Sequence, residues 1–249
     1  LVRTAFCRGV SVHENRAEWC AHITYFGEGS RELRHYANRS RYVVHQCMWW
    51  GGNANDVLAW VPDDTADVVR PDLRPGDEEY NRHTAGVYDI TVQNNHAAFG
   101  HTLAWGAKAR TVLVAGNTAE YMEDMAYDSE GDENVVFANN VFSRNDPYGA
   151  GRQLSLRGGP AERVRVVSNC FFGGQAGEDA VIHDHDRAWS VAEAQSDAYR
   201  DAHGDRFAGN ISADPGFVDA EAWNHAPSPE SPLIDAGTPL TRAVGDGEG

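Results

Sequence analysis

The chain has 249 residues, and its 21 Lys plus Arg against 37 Asp plus Glu give a formal net charge of −16 at pH 7. Such an acidic surface repels nucleic acid and anionic lipid, so we expect neither as a partner. No apolar run approaches the ~20 residues of a membrane-spanning helix, so we expect no membrane insertion.

A short β-rich run that ends in a polar residue recurs along the chain. The runs occupy residues 10–15, 42–47, 90–95, 112–117, 135–140 and 164–169. Five of the six end in Asn, the second ends in Cys47, and the last four ends lie 22, 23 and 29 residues apart. This period is too short for a βαβ unit and indicates a coil with about three short strands per turn.

An asparagine at a sharp bend between strands has a physical reason to recur. Asn tolerates unusual backbone angles, and its side-chain amide can bond to the amide one coil away. Repeated at each coil, such side chains form a ladder with the ~4.8 Å spacing of neighbouring strands. The sequence predicts this ladder, with an interruption at Cys47.

A second strand is predicted in each coil, at residues 22–26, 56–60, 101–105, 124–128, 153–157 and 179–183. Several of these runs are followed by a turn, at 106–108, 131–133 and 158–160.

With these repeats, the chain resembles the right-handed parallel β-helix family, the pectate-lyase-like solenoids. The tail strengthens the resemblance, because NISADPGFVD at 210–219 and SPLIDAG at 231–237 are similar to the closing segment of many secreted members. The resemblance implies an all-β, right-handed parallel β-helix with about six or more coils over 1–206, closed by 207–249. It implies no single activity, since this fold hosts lyases, hydrolases, epimerases and non-catalytic adhesins.

Three segments break the period. Residues 27–41 and 61–87 are polar, the second with Pro62, Pro71 and Pro75, and are predicted to be loops that project from the coil. Residues 190–203 are predicted to form a short helix, with Ser190 as N-cap and Gly204 after its end. Because the chain begins inside a coil and ends in a Gly-rich run, we expect a mature fragment of a longer polypeptide. The resemblance to secreted β-helix proteins implies a secreted or cell-surface location.

Alternate residues of each second strand point outward, and we choose the register that avoids burying Asp56, Asp124 and Asp179. Two outward files result. The first reads His22, Asp56, His101, Asp124, Gln153 and Asp179. The second reads Phe26, Trp60, Trp105, Asp128, Arg157 and His183.

In the family that the chain resembles, this face lines the substrate groove. Trp60 and Trp105 are then expected to stack on sugar rings one coil apart, with Asp56 and Asp179 as further substrate-binding residues. The alternative is that the tryptophans pack under the two predicted loops.

Acid–base chemistry is predicted for one group of outward residues: His101, Asp124, Asp128, Arg157 and His183. Adjacent coils place His101 beside Asp124 at a backbone spacing of ~5 Å, and a carboxylate beside an imidazole favours a general acid or base. Each of these residues has an alternative interpretation as part of a surface ion pair.

Hydrolysis and elimination both fit this face. Asp56 and Asp124 lie two coils apart, ~10 Å, near the upper end of the spacing of an inverting carboxylate pair. A lyase would instead use Arg157, His101 or Lys108 as base, with Ca²⁺ on Asp124 and Asp128 to neutralise a uronate.

Two further groups are weaker metal candidates. The acidic stretch at 123–133 lacks the ligand spacing of an EF-hand, so a solvated turn is the favoured interpretation. Residues Asp184, His185 and Asp186 beside His183 form the other group. The cysteines Cys7, Cys20, Cys47 and Cys170 show no zinc-binding spacing and are expected to be buried thiols, with a Cys7–Cys20 disulfide as the alternative.

The function expected from the sequence is a polysaccharide lyase or glycoside hydrolase that acts on a polysaccharide or oligosaccharide along the outward face. The alternative is a non-catalytic glycan-binding or adhesion solenoid, and a third interpretation is a trimeric fibre. The sugar, the linkage and the oligomeric state stay open.

Overall fold

A computed structural model describes residues 2–4, 7–27, 30–50, 87–107, 109–130, 132–148, 152–157, 164–173, 181–184 and 187–240. The elements are, in chain order, β1 (Val2–Thr4), β2 (Ser11–His13), β3 (Arg16–Glu18), β4 (Thr24–Phe26), β5 (Arg31–Tyr36), β6 (Arg39–Arg41), β7 (Gln46–Trp50), β8 (Val87–Gln93), β9 (His96–Ala98), β10 (Thr102–Ala107), β11 (Ala109–Ala115), β12 (Thr118–Glu120), β13 (Tyr127–Glu130), β14 (Glu133–Ala138), β15 (Val141–Ser143), β16 (Arg152–Arg157), β17 (Val164–Val167), β18 (Cys170–Phe172), β19 (Val181–Asp184), β20 (Arg187–Ser190), α1 (Val191–Ala194), α2 (Asp197–His203), β21 (Phe207–Ala208), β22 (Ile211–Ser212), β23 (Phe217–Asp219) and β24 (Asn224–Pro227).

Three sheets wind around a common core, and each receives about one strand per coil. Sheet A has the order β1-β4-β7-β10-β13-β16-β19-β20, sheet B the order β2-β5-β8-β11-β14-β17-β21, and sheet C the order β3-β6-β9-β12-β15-β18-β22. Neighbouring strands are parallel except β20, which pairs antiparallel with β19. The predicted all-β parallel β-helix is therefore confirmed.

We call the strand that each coil contributes to a sheet a rung. A ladder of asparagines joins successive rungs at the bend between sheets B and C. Each Oδ1 accepts bonds from the backbone N–H and the Nδ2 of the preceding member; Asn140 accepts both from Asn117, at 3.0 and 2.9 Å. The ladder consists of Asn15, Asn38, Asn95, Asn117, Asn140, Asn169 and Asn210. Gln195 closes it, because its Oε1 accepts the N–H of Asn210 at 2.7 Å. The predicted ladder is confirmed, but its second-coil member is Asn38 and not Cys47.

Inward side chains stack from rung to rung into columns that form the core. One column of sheet B runs Val12, His35, Val92, Val114, Phe137, Val166 and Phe207. Apart from His35, this column is apolar, and all seven members are buried. Burial of such columns is the main favourable contribution to folding.

Residues 27–41 are not a projecting loop, because they contain β5 and β6. Leu33 and His35 point into the core in the alternation of a half-buried strand, while Arg31, Glu32 and Arg34 are exposed. The run of charged residues concealed this alternation. The prediction of a loop at 27–41 was therefore wrong. The assignment of 42–47 as a first strand was also wrong, because β7 at Gln46–Trp50 belongs to sheet A. The other predicted loop lies outside the described residues up to residue 86.

The predicted helix at 190–203 is divided into α1 and α2. Ser190 caps α1 as predicted, in a capping box with Glu193. Ser196 interrupts the helix by accepting the N–H of Tyr199 and starting α2, which ends before Gly204. Beneath α2, buried Asp184 accepts bonds from Arg206 at 2.8 Å and from the Tyr199 hydroxyl at 2.6 Å, which closes the last coil.

The C-terminal hairpin β23–β24 packs on the outer face of sheet C through a buried charged cluster. His225 Nε2 lies 2.6 Å from Glu120 Oε2, and Arg144 lies 2.7 Å from Glu120 Oε1. Burial alone would raise the pKa of Glu120, but its bond to His225 and the charges of His225 and Arg144 hold that pKa below its usual value.

All four cysteines are free thiols, so the alternative Cys7–Cys20 disulfide is not formed. Burial raises the pKa of Cys47 and of Cys170 to about 12. No helix in the described part of the chain is long and apolar enough to span a membrane.

We predict that Asn140→Ala lowers the free energy of unfolding by about 3 kcal/mol, since it removes the acceptor of the buried Asn117 backbone N–H and the Nδ2 donor to the Val114 carbonyl and to Asn169 Oδ1. Urea denaturation measures the change. Asn15→Ala is the matched control at the open end of the ladder, and its expected loss is below about 1 kcal/mol. Equal losses in the two variants would contradict the ladder's role.

His35 makes the fold sensitive to acid. Burial lowers the pKa of His35 from 6.5 to about 4. Between pH 6.5 and pH 4, His35 is therefore protonated in the unfolded chain and neutral in the folded chain. Stability is therefore lost as pH falls from 6.5 towards 4, by up to about 3 kcal/mol. We predict that His35→Phe is more stable than the wild type by a margin that grows between pH 7 and pH 5. The control is His13→Phe on the exposed side of β2, which leaves the buried imidazole of His35 in place and is expected to keep the loss of stability below pH 6.5.

Candidate functional site

The outward side chains of sheet A form a straight file, which we call the outer file. It consists of Tyr25, Trp49, Trp105, Asp128, Ser155 and His183, each opposite the next in the parallel register. The inward neighbours of these residues, such as Met48, Ala104 and Leu154, belong to the core. Strand alternation and rung register together therefore bring distant residues onto one line.

The N-terminal half of the outer file is aromatic. The rings of Tyr25 and Trp49 have centroids 4.6 Å apart, and those of Trp49 and Trp105 are 5.6 Å apart and nearly edge-on. Trp49 and Trp105 are both half-buried. The pair therefore presents a partly accessible indole surface that covers two successive rungs.

The C-terminal half of the outer file is polar and more deeply buried. Asp128 and Ser155 are buried, and His183 is half-buried. Within the described part of the chain, Ser155 Oγ, His183 Nδ1 and Trp49 Nε1 are buried atoms without a hydrogen-bond partner. Polar atoms left in this state are costly for the fold and are typical places for a ligand to bind.

Several predicted site residues lie in the outer file and several do not. Trp105, Asp128 and His183 occupy it. Arg157 pairs in register with Glu130, so Ser155 takes the position between Asp128 and His183. Phe26 points into the core, because its register partner is the buried Trp50.

A second file, the histidine file, runs beside the outer file where the chain enters sheet A. His22 and His45 stack with centroids 5.0 Å apart, and His45 lies 6.2 Å from His101. His22 also lies 6.2 Å from Trp49, so the two files are in contact. The sequence pointed to His22 and His101 but missed His45, because the predicted second strand of that coil was misplaced.

The predicted pairing of His101 with Asp124 is not formed as a side-chain contact among the described interactions. The Asp124 backbone N–H donates to the His101 carbonyl at 2.9 Å, as expected for adjacent rungs. Asp124 Oδ1 lies 3.4 Å from Arg152, and His101 Nδ1 lies 3.1 Å from the Thr102 hydroxyl. Gln153 is buried, and its Oε1 accepts a bond from Asn145 Nδ2 at 2.7 Å.

Asp56, Trp60, Asp179, Lys108, His185 and Asp186 lie outside the described residues, as does the side chain of Arg157. Among the residues that the structure describes, no group of three or more His, Cys, Asp or Glu side chains is placed to hold a metal ion. The predicted Ca²⁺ ligand Asp124 engages Arg152 in this structure.

A third file was missed altogether and lies at the corner between sheet C and sheet A. We call it the corner ladder; it consists of Trp19, Tyr42, Phe99 and Tyr121. Its rings stack nearly parallel, with centroids 4.3, 5.6 and 5.3 Å apart. Its first three members precede the residues of the histidine file by two or three positions, since Trp19, Tyr42 and Phe99 come before His22, His45 and His101. This spacing is the signal that could have revealed it.

Comparison with protein-family models, with curated proteins and with solved structures finds no match to this chain. The pectate-lyase-like resemblance therefore stays a prediction, and a functional proposal depends on the geometry of these files.

Proposed function

We propose that this chain is a carbohydrate-active β-helix protein that binds an extended polysaccharide or oligosaccharide along the outer file and the histidine file. The observation that carries the proposal is the pair Trp49–Trp105, two half-buried indoles on successive rungs with centroids 5.6 Å apart. Indole rings supply a large apolar surface at little entropic cost, and a sugar ring has an apolar face that can stack on them.

The surroundings of the two indoles support this ligand class. A saccharide needs hydrogen-bond partners at the rim of each stacked ring, and polar groups of His101, Asp128 and His183 lie on the same wall. Successive groups on that wall are one strand spacing apart, ~4.8 Å, and this repeat suits a ligand that itself repeats along its length. A protein that binds such polymers is expected to act outside the cell or at its surface.

Binding is better supported than cleavage. The acid–base candidates do not converge, because Asp124 pairs with Arg152 and the His101 ring bonds to Thr102. Asp128 is buried. A catalytic group has to come within hydrogen-bond reach of the substrate atom that it protonates or deprotonates.

Cleavage is a second candidate because of one specific observation. Asp128, Ser155 and His183 occupy three consecutive rungs, and Ser155 Oγ and His183 Nδ1 have no partner among the described residues. Asp128 and His183 are thus two rungs apart, ~10 Å, close to the separation of the two catalytic groups of an inverting glycosidase. In that case His183 would exchange a proton with the substrate, and Ser155 would orient it.

We predict that Trp105→Ala weakens binding of the preferred polysaccharide about tenfold, the value of one lost stacking partner. Affinity electrophoresis against neutral and acidic polysaccharides measures the change, and Trp105→Phe is expected to retain part of the affinity. Tyr88→Ala, which removes a half-buried ring from sheet B, is the matched control. Unchanged affinity in Trp105→Ala at an unchanged melting temperature would refute the assignment of the ligand to this wall.

For the second candidate, we predict that wild-type protein releases reducing ends from a polysaccharide that it binds and that His183→Ala abolishes the release. Release together with the ultraviolet absorbance of an unsaturated uronate would identify a lyase, and release without it a hydrolase. His101→Ala tests in parallel whether the histidine file transfers the proton instead. If every polysaccharide that binds stays intact, the cleavage candidate is wrong and the binding function remains.

A further inference from the structure

The corner ladder forms one wall of an open groove that the outer file does not share. The groove has a volume of about 580 Å³, and Val43 and Gly100 are among its lining residues. Val44, Pro147 and Tyr148 also line it. Two of its aromatic residues are highly exposed, Trp19 at 76% and Tyr148 at 86%. Contiguous apolar surface of this kind marks an interaction site on a soluble protein.

The fold does not require aromatic residues at this corner. Each member of the ladder has a left-handed backbone, with φ between 51° and 55°, which is disfavoured for bulky side chains. The equivalent position two rungs beyond Tyr121 is Gly173, which adopts φ 69° at no steric cost. A run of exposed rings at positions that glycine would fill more easily indicates that the rings themselves have a role.

Stacking decides which ring surfaces a ligand can reach. Inside the ladder each ring face is covered by the next ring, and Arg144 lies 5.5 Å from the centroid of Tyr121 at one end. Trp19 has a described ring contact on one side only, with Tyr42, and its high exposure leaves the other face accessible. The ladder therefore offers ring edges along its length, with accessible ring surface at Trp19 and, across the groove, at Tyr148.

The charge of the groove selects the ligand. Glu123 is the only charged residue among the described residues that line it, and the chain as a whole has a net charge of −16. An anionic polymer would be repelled, whereas a neutral chain with apolar faces would not. The rungs repeat at 4.3 to 5.6 Å along the ladder, close to the length of one pyranose unit in an extended glycan.

We propose that this groove is a second glycan-binding site, specific for neutral rather than uronate-containing oligosaccharides, with Trp19 and Tyr148 as its stacking residues. The proposal shares only the ligand class with the proposed function, because the groove lies on the other side of the histidine file from the outer file. It assigns to the corner ladder the selection of the polymer, independently of any chemistry on sheet A.

The test uses the whole chain and three probes: soluble β-glucan oligosaccharides, xylan oligosaccharides and polygalacturonate oligosaccharides of matched length. Isothermal titration calorimetry is expected to show that the double variant Trp19→Ala/Tyr148→Ala binds a neutral probe about tenfold more weakly, with an unchanged melting temperature. Tyr36→Ala, which removes a ring stacked on His13 at another corner, is the control and is expected to bind as the wild type does.

Trp105→Ala separates this proposal from the previous one. Loss of neutral-glycan binding in the corner variant but not in Trp105→Ala supports the second site even if the outer file binds nothing. Retained binding in the corner variant overturns it, as does equal affinity of the wild type for the polygalacturonate probe. Concentration-dependent dimerisation that the corner variant abolishes, or capture of a proline-rich peptide in place of the glycans, would assign the groove to another occupant and also overturn the proposal.

Discussion

The register between rungs depends on one repeated interaction, the double hydrogen bond from each ladder asparagine to the next. Each Oδ1 accepts both a backbone N–H and an Nδ2, so a rung cannot slide by a residue without breaking both bonds and leaving the buried backbone N–H unsatisfied. Gln195 applies the same constraint at the end, where its Oε1 accepts the Asn210 N–H. Because this bend fixes every coil, the outer file, the histidine file and the corner ladder are straight lines and not scattered positions.

The fold could be predicted because its determinants are local and periodic. A β-rich run that ends in Asn recurs at 22- to 29-residue spacing. In the later coils this repeat is easy to recognise, because no run of charged residues or long insertion interrupts it. The second coil failed because Arg31, Glu32 and Arg34 hide the inward pair Leu33 and His35. His35 occupies a position in the core column where the neighbouring rungs have Val12 and Val92, and its inward direction is recognised only when those rungs are aligned with it.

The site was harder to predict, since alternation within a strand does not fix the register between strands that are joined by turns of variable length. The predicted alternation correctly placed three residues in the outer file, namely Trp105, Asp128 and His183. The same alternation placed Arg157 at the position that Ser155 occupies in the structure. His45 and the corner ladder were missed for a different reason. They lie at corners where φ is positive or the backbone irregular, and no hydrophobic period extends there.

The tail and the corner are physically connected, which bears on how the groove keeps its shape. Arg144 pairs with buried Glu120 at 2.7 Å while its guanidinium lies over Tyr121, the last ring of the corner ladder. Glu120 in turn is held by His225 of the C-terminal hairpin. One carboxylate thus anchors the hairpin and positions the cation that covers the end of the ladder. The hairpin therefore does more than cover sheet C, because it shares the Glu120 carboxylate with the cation at the end of the aromatic stack.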